Sequence, residues 1–306
     1  MSRVNNVIDR IPVKWIVEKY RKYFDVDVSY LFDEGLAYVE LVQCPDTGIK
    51  KFEPSVVGDE KFYALLSRHE WYYQEDKAEY HTVSRLTKGE SVCEIGAGAG
   101  AFAGVSGARE YVGLELNRRA VETAQERGVN VRLEALEEHL ARVGPDRYGV
   151  VCAFQVLEHV PDPDTFARLA TRLARPGGWV VFSVPADDSF VGLVGDGVLI
   201  MPPHHQTRWP DRALDLLGPR VGLVTRALVY EQLDALHATW AASTLIKHAL
   251  RGSDHGAEAL AGSRAGANLW ARATGRMIRM LLPNLNNTVR LTLKGHTVTA
   301  IYQKPA

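Results

Sequence analysis

The stretch Val92-Cys93-Glu94-Ile95-Gly96-Ala97-Gly98-Ala99-Gly100 decides the fold of this chain. An apolar run ends in a carboxylate, and three glycines follow at alternate positions. This pattern predicts a buried strand that breaks into a tight turn, in which bare backbone lies against a ligand. Main chain rather than side chains would approach whatever binds there.

Strand and helix patterns alternate around this turn. Strand-like runs occur at 91–95, 111–116, 129–133, 149–154 and 179–184, and they are separated by helix-like runs at 100–108, 118–127, 136–143 and 164–174. The alternation predicts an α/β fold with a doubly wound, mostly parallel sheet. Two more strand patterns lie at 221–230 and 296–303. The stretch between them, about 233–294, is too long for a simple loop and predicts a helical insertion before the last strand.

The segment before residue 81 has a different character. Residues 12–24 suit a short amphipathic helix, and 61–80 have an aromatic-rich helical pattern. Between them lie short strand-like runs at 30–32, 37–42 and 49–52. We therefore divide the chain into an N-terminal cap segment of helix and β-meander, 1–80, and a larger domain, 81–306.

The composition argues against several classes of protein. The formal net charge is −1, whereas a nucleic-acid-binding protein normally has a basic surplus. The three cysteines are scattered, so we expect no disulfide framework and a reducing, cytoplasmic setting. Residues 1–10 have no apolar signal core, and no apolar run is long enough to span a membrane.

The carboxylates near the glycines narrow the choice of ligand. A dinucleotide site needs the spacing G-x-G-x-x-G, which sets a helix N-terminus against a pyrophosphate, but the spacing here is G-x-G-x-G. Glu94 would repel a pyrophosphate and attract an ammonium or a sulfonium. Glu115 ends the next strand, where a carboxylate accepts hydrogen bonds from ribose hydroxyls. A ribose, a positive charge and no phosphate describe S-adenosylmethionine.

Residues 92–184 resemble a class I S-adenosylmethionine-dependent methyltransferase. The motifs that carry the resemblance are Glu94-Ile-Gly-Ala-Gly-Ala-Gly100, Gly113-Leu-Glu115-Leu-Asn117, Leu133-Glu134-Ala135-Leu136, Phe154-Gln-Val-Leu-Glu-His-Val160 and Leu173-Ala-Arg-Pro-Gly-Gly178. The resemblance implies a Rossmann-like sheet of seven strands with the last strand antiparallel. It also implies S-adenosyl-L-homocysteine as a product.

The resemblance further implies which residues bind the methyl donor. The methionine part would contact Gly96, Ala97 and Gly98, with Glu94 near its ammonium group and Gln155 on the sulfonium side. The ribose hydroxyls would bind Glu115, beside Leu116. The adenine edge would meet Glu134 and the backbone of Ala135 and Leu136.

Two histidine-containing clusters are expected on the acceptor side. The first includes Glu158 and His159 after the fourth strand, and the second, Pro202-Pro203-His204-His205-Gln206-Thr207-Arg208-Trp209, follows the fifth. Imidazoles titrate near neutral pH, so His159, His204 and His205 are candidate general bases. In an extended segment His204 and His205 would point in opposite directions. Alternatively, Glu158 and His159 brace the turn, and Arg208 pairs either with an anionic substrate group or with the sheet edge.

The first cluster also resembles a magnesium motif. Some small-RNA 2′-O-methyltransferases and ubiquinone-pathway O-methyltransferases hold Mg²⁺ with Glu-x-x-Glu-His, and in the RNA enzymes a later histidine joins the metal. Here Gln155 replaces the first glutamate, which removes an anionic ligand of the kind that Mg²⁺ prefers. We therefore expect no metal. A bound Mg²⁺ would take Glu158, His159 and His204 as ligands.

The cap segment has a looser resemblance to a region of bacterial methyltransferases from glycan, lipid-linked saccharide and natural-product pathways. Cys44-Pro-Asp-Thr-Gly48 carries it, although Cys44 lacks the cysteine partners of a zinc site. Tyr72 and Tyr73 either stack on a sugar or form the core that docks this segment. Residues 268–282 place arginines on one helical face, which is either a solvated face or a contact with a membrane surface or lipid-linked substrate.

These observations lead to one hypothesis and two alternatives. The hypothesis is S-adenosylmethionine-dependent O-methylation of a small-molecule or saccharide hydroxyl, with a histidine as general base. The alternatives are N- or C-methylation of a natural-product intermediate, and a non-catalytic cofactor-binding partner subunit. An NAD-dependent oxidoreductase is disfavoured by the glycine spacing. The sequence identifies neither the acceptor nor the oligomeric state.

Overall fold

The structure is a computed structural model that describes residues 5–69, 72–194, 197–233, 235–250 and 294–306. The chain divides into two units. The first contains Met1–Val184, Gly197–Val229 and Thr299–Ala306, and the second contains Pro185–Asp196 and Tyr230–Val298. The expected division near residue 80 stays a prediction.

The described elements follow one another as strands β1 to β11 and helices α1 to α9. In chain order they are β1 (Asn6–Pro12), α1 (Val13–Phe24), β2 (Tyr38–Gln43), β3 (Lys50–Glu53), α2 (Glu60–Leu66), α3 (Ala78–Thr87), β4 (Ser91–Ile95), α4 (Ala103–Ser106), β5 (Glu110–Glu115), α5 (Arg118–Glu126), β6 (Val131–Leu133), α6 (Leu136–Val143), β7 (Tyr148–Phe154), α7 (Pro163–Leu173), β8 (Ala174–Pro185), β9 (Thr207–Arg208), α8 (Asp211–Arg220), β10 (Val224–Gln232), α9 (Ala235–Leu250) and β11 (Lys294–Gln303).

Seven strands form the large sheet, in the order β10-β11-β8-β7-β4-β5-β6. The ladders β4/β5, β4/β7, β5/β6 and β7/β8 are parallel, and one strand of the sheet is antiparallel. The central strands β4 and β7 are buried along their whole length, as expected for a sheet with helices on both faces. The predicted doubly wound α/β fold is therefore confirmed.

The order of the strands locates the site. After β4 the chain builds β5 and β6 on one side, and it then returns to place β7 on the other side of β4. Ligands of open α/β sheets bind where the strand order reverses, at the carboxyl ends of the strands. The turn that begins at Gly96 follows β4, and Gln155 follows β7.

The four-stranded small sheet has the order β1-β2-β3-β9. Its core joins apolar residues of α1 and α2, among them Ile16, Tyr20 and Phe62, to Val198 and Met201. The Tyr20 hydroxyl also donates to the Val198 carbonyl at 3.2 Å. The chain just before His204 is therefore anchored on the N-terminal elements.

Several local predictions for the N-terminal segment are wrong. Residues 30–32, predicted as a strand, overlap the 3₁₀ turn Ser29–Leu31. Residues 61–80, predicted as helical, include parts of α2 and α3, and the described residues between these helices, 67–69 and 72–77, are not helical. Strand β1 was not predicted because it lies at the sheet edge and buries only Ile11, so it lacks an alternating apolar pattern.

Within the described ranges, no helix combines the length and apolar character that a membrane span requires. Helix α9 begins inside the predicted insertion. Most of that insertion, including the arginine-bearing stretch 268–282, lies outside the described residues.

Candidate active site

The glycine turn is shaped by close packing. Gly96 and Gly98 have φ angles of +75° and +53°, a region that glycine enters without steric cost. A Cβ on Gly96 would collide with the Val156 side chain, and one on Gly98 would lie 2.9 Å from the ring of Tyr73. The turn thus presents bare backbone between two side chains, and neither position has room for a larger residue.

Glu115 is held in one orientation by three backbone groups. The Gly98 N–H donates to Oε2, and the N–H groups of Leu116 and Asn117 donate to Oε1, each at 2.8 Å. A carboxylate has about four acceptor positions, so Glu115 retains capacity for a ribose hydroxyl. Leu116, beside it, is exposed.

Glu94 is a buried carboxyl group at the end of β4. It is 1% exposed and accepts a hydrogen bond from the Tyr111 hydroxyl. Burial raises the pKa of Glu94 to about 8, against the opposing effects of the Tyr111 hydrogen bond and the Lys77 charge. A cation bound beside Glu94 would favour its ionised form.

Glu134 follows β6 and is already engaged by two neighbours. Arg142 donates to both carboxylate oxygens at 2.7 Å, and His139 Nδ1 lies 2.8 Å from Oε2. The Arg142 hydrogen bonds hold the pKa of Glu134 at about 2. The Ala135 N–H donates to Glu138 at 3.1 Å, and the next residue, Leu136, is buried. A contact of Glu134 with adenine would share oxygens that Arg142 uses, so its direct role stays a prediction.

Three imidazoles from the two predicted clusters come together. The ring centroids of His159 and His204 are 4.4 Å apart, and His205 lies 4.8 Å from each of them. His204 and His205 stack at an interplanar angle of 20°. The prediction that they point in opposite directions is wrong because both N–H groups donate to the Met201 carbonyl, which makes the segment a turn rather than an extended strand.

Backbone carbonyls accept hydrogen bonds from two of these rings. His159 Nδ1 lies 2.6 Å from the His204 carbonyl, and His204 Nδ1 lies 2.9 Å from the Leu199 carbonyl. A carbonyl only accepts hydrogen bonds, so His204 Nδ1 carries the proton and His204 Nε2 offers a lone pair. Burial lowers the pKa of His159 to about 4 and that of His204 well below its usual value. Both rings are therefore neutral at pH 7.

The histidine loop is tied to the turn after β7. The N–H groups of Gln206 and Thr207 donate to the Glu158 carbonyl at 2.7 and 3.1 Å. The Gln206 amide donates in turn to the Val56 carbonyl at 2.7 Å. Arg208 lies in β9, where its backbone is opposite that of Lys50 in the antiparallel ladder with β3. The small sheet thus fixes the position of the imidazoles.

Aromatic rings connect the glycine turn at Gly96 and Gly98, here called the donor turn, with the histidines. Tyr73, which lies over Gly98, packs edge-on against Tyr72 with centroids 5.0 Å apart. The Tyr72 and Tyr63 rings each lie 6.1 Å from the His204 ring. Tyr72 and Tyr73 therefore line both sides of the site, and their role in acceptor binding stays a prediction.

Four residues near the site were given no functional role in the sequence analysis. They are Tyr63, Glu79, Tyr111 and Asn117. Of these, only Asn117 has a recognisable signal, since it precedes α5 and accepts from the Arg119 N–H as an N-cap. Its amide also donates to the Tyr73 hydroxyl at 3.2 Å. The other three depend on long-range packing, which a single sequence does not reveal.

The side chains around Glu158 do not fit Mg²⁺. One ring nitrogen from each of His159, His204 and His205 lies within 4.8 Å of the others, but Mg²⁺ prefers oxygen ligands. The Gln155 amide donates to Glu79 Oε1 at 3.5 Å and supplies no anionic ligand. The expectation of a metal-free reaction stays a prediction.

Chelator treatment tests the metal prediction. Dialysis against EDTA and then 1,10-phenanthroline should change the methyl-transfer rate by less than about twofold. The histidine base expected from the sequence needs only a neutral imidazole and no metal. Metal analysis of the dialysed protein is the control. A loss of activity that added Zn²⁺ or Mg²⁺ restores would contradict the prediction.

The donor turn fits S-adenosylmethionine on its own geometry. Bare backbone at Gly96 and Gly98 leaves a cradle that a Cβ would fill. On either side of it lie a buried acid, Glu94, and a carboxylate held by three N–H groups, Glu115. These features suit an ammonium group and a ribose diol.

Comparisons with known proteins agree with this site. A family model described as a methyltransferase domain matches residues 68–237. A ubiquinone biosynthesis O-methyltransferase from Bordetella bronchiseptica is 34% identical over 143 residues, which cover 40% of this chain and 58% of that protein. Another from Serratia proteamaculans is 40% identical over 103 residues, which cover 31% and 42%. The matches thus span less than two thirds of these relatives.

A solved structure shares the fold. The crystal structure of an S-adenosylmethionine-dependent methyltransferase from Archaeoglobus fulgidus aligns with a TM-score of 0.50 at 17% identity, covering 79% of this chain and 100% of that one. At this identity the likeness concerns the fold alone. Because the family model matches more than half of the sequence, the chain belongs to the methyltransferase-domain family, with a class I S-adenosylmethionine-dependent fold.

Proposed function

We propose that the protein is an S-adenosylmethionine-dependent O-methyltransferase that acts on a hydroxyl of a small molecule or saccharide, with His204 as general base. The curated relatives support the O-methylation part, because they are named as O-methyltransferases. The free, reduced cysteines Cys93 and Cys152 are consistent with a cytoplasmic setting.

One observation carries the choice of base. Among the residues that the structure describes, His204 Nε2 is a buried ring nitrogen with no hydrogen-bond partner. Its lone pair is free because Nδ1 donates to Leu199. An unpaired buried acceptor is costly to the fold, and an acceptor hydroxyl that donates to it would remove that cost. His159 Nε2 instead faces Glu158, at 3.8 Å from Oε1.

In the proposed reaction, the residues of this chain orient the acceptor and remove its proton. S-adenosylmethionine, when bound, supplies a methyl group on a sulfonium, which leaves as a neutral thioether. Tyr63 and Tyr72 pack beside His204, with ring centroids 6.1 Å from its ring. His204 Nε2 then takes the hydroxyl proton as the oxygen–carbon bond forms and the carbon–sulfur bond breaks. Alignment and proton removal are the enzyme's main contributions.

An acceptor panel tests this proposal. The purified protein is incubated with S-adenosylmethionine labelled in the methyl group and with matched acceptors that carry a hydroxyl, an amine or neither at the same position. We expect label in hydroxyl-bearing phenols or saccharides and a product stable as a methyl ether. Transfer confined to amines would replace the O-methylation proposal with N-methylation. Failure to bind S-adenosylmethionine at all would contradict the catalytic proposal.

A further inference from the structure

Three imidazoles at the acceptor side form a cluster of nitrogen ligands. One ring nitrogen from each of His159, His204 and His205 lies within 4.8 Å of the other two. The N–H groups of His204 and His205 both donate to the Met201 carbonyl at 3.1 Å. His159 is tied to the same turn, because its Nδ1 lies 2.6 Å from the His204 carbonyl. The backbone therefore holds the three rings together before any ligand binds.

His204 has the hydrogen-bonding pattern of a metal-binding histidine. Its Nδ1 lies 2.9 Å from the Leu199 carbonyl, and within the described ranges its buried Nε2 has no hydrogen-bond partner. Metal-binding histidines almost always donate from one ring nitrogen to a carbonyl, a carboxylate or water, which orients the other nitrogen toward the metal. The Nε2 lone pair of His204 is therefore oriented and free to bind a cation.

Glu158 adds an oxygen ligand beside the imidazoles. Its side chain is 1% exposed, and neither carboxyl oxygen has a hydrogen-bond partner in the part of the chain that the structure describes. Oε1 lies 3.8 Å from His159 Nε2, and two ligand atoms of one tetrahedral zinc ion are about 3.3 Å apart. A small movement brings both atoms onto one ion, which would remove the cost of the unpaired buried oxygens.

The types of ligand select the cation. Three imidazole nitrogens with one carboxylate suit Zn²⁺ or Co²⁺, whereas Mg²⁺ prefers oxygen ligands and water. The set also differs from the Glu-x-x-Glu-His magnesium motif, because Gln155 stands in place of the first acid and His205 adds a third imidazole. The cluster is therefore a nitrogen site for a transition metal and not a magnesium site.

We propose that His159, His204 and His205, together with Glu158, bind Zn²⁺ or a transition-metal cation of similar ligand preference, and that the bound cation inhibits methyl transfer. The inhibition rests on the proposed function, in which His204 Nε2 takes the acceptor proton. Metal and proton need the same lone pair, and a ring nitrogen has only one. The metal-free protein is the active form, and methyl transfer stops reversibly when zinc is available.

A cobalt titration tests the site without any turnover. The full chain is freed of metal by dialysis against 1,10-phenanthroline and is then titrated with Co²⁺. We expect the visible absorption of four-coordinate Co²⁺, saturating at about one ion per chain, and its loss on addition of Zn²⁺. Mg²⁺ at about 10 mM should not displace the Co²⁺. Absence of this absorption, with no Zn²⁺ binding by calorimetry, would overturn the proposal.

A ligand variant and a matched control locate the bound ion. His205→Asn removes one imidazole and leaves His204 Nε2 in place, so the Zn²⁺ Kd should rise at least about tenfold. His237 and His296 also stack, with ring centroids 4.9 Å apart, so His296→Asn is the control and should keep the wild-type Kd. Circular dichroism checks the fold of each variant. An unchanged Kd in folded His205→Asn would overturn the three-histidine site, and the wild-type titration decides if that variant does not fold.

Inhibition is measured with the hydroxyl-bearing acceptor that the panel identifies. Methyl transfer should fall to half at the Zn²⁺ Kd obtained by competition with Co²⁺, and 1,10-phenanthroline should restore it. The remaining activity of His205→Asn should need at least about tenfold more Zn²⁺ for half inhibition. Zn²⁺ that binds at the cluster without inhibiting would contradict both the inhibition and His204 as the base. Methyl transfer without metal binding would overturn the metal site alone and leave the proposed function intact.

Discussion

Replacing His204 with Asn should lower kcat by about 10²- to 10⁴-fold, the usual contribution of a general base. The Asn amide can still donate to the Leu199 carbonyl, as His204 Nδ1 does at 2.9 Å, so the turn before β9 keeps its bracing contact. What the variant lacks is the Nε2 lone pair. Single-turnover methyl transfer measures the loss, and calorimetry should show a donor Kd within about twofold of the wild type, because the base acts after donor binding.

The neighbouring imidazoles provide matched controls for this prediction. His159→Asn and His205→Asn remove rings within 4.8 Å of His204 and leave His204 Nε2 in place. We expect both to retain more activity than His204→Asn. If His159→Asn or His205→Asn shows the greater loss, the base is reassigned to that ring. Full turnover in all three variants would remove a histidine base from the mechanism.

The pKa of His204 determines the pH range in which this ring can accept a proton. Burial lowers the pKa of His204 well below its usual value, so the ring stays neutral above pH 6 and its protonation should not limit the rate there. The single-turnover rate should therefore be independent of the protonation of this ring between pH 6 and 8, and an acid limb in that range that persists in His204→Asn would mean that another group limits the reaction.

The donor half of the site was predictable because its determinants are local. The strand at 91–95 and the helix at 136–143 were predicted with the bounds that the structure has. An apolar run and a glycine turn specify strand β4 without help from distant residues. Glu115 ends its strand, so its place at the carboxyl edge of the sheet follows from the fold.

The acceptor half was less predictable because it depends on long-range contacts. His159 and His204 are joined by a hydrogen bond between segments 45 residues apart. The direction of His205 follows from a turn closed on Met201, which no residue pattern announces. Glu79 became relevant only when α3 brought it against Gln155. A sequence supplies the residue types for such a cluster but not the packing that assembles it.

Adding a methyl group at residue 96 should lower both the stability of the protein and its affinity for the methyl donor. Gly96→Ala places a Cβ against the Val156 side chain and requires alanine to adopt φ +75°. We expect a loss of about 2–4 kcal/mol in the free energy of unfolding, from overpacking and left-handed strain together. Urea denaturation measures that loss. Donor affinity should fall as well, because the turn that cradles the ligand must shift.

The collision of the new Cβ with Val156 should also disturb the acceptor side of the site. Val156 belongs to the turn that carries Glu158 and His159, so displacing it shifts His159 relative to His204. Gly96→Ala should therefore lower kcat even at saturating donor concentrations. Gly104→Ala is the matched control, since Gly104 lies in α4 with nothing within 4 Å of a Cβ and no positive φ, and helical alanine is tolerated.

Trimming the Val156 side chain separates two causes of the predicted instability, which are the collision with the new Cβ and the left-handed backbone strain. Val156→Ala alone should cost about 1 kcal/mol, as expected for trimming a small side chain. Measured against Val156→Ala, the added Gly96→Ala change should then cost only the left-handed strain of about 1–2 kcal/mol. A double variant that is no more stable or active than Gly96→Ala would mean that backbone conformation dominates. The donor turn and the Glu158 turn would then be independent, and the coupling through Val156 would be wrong.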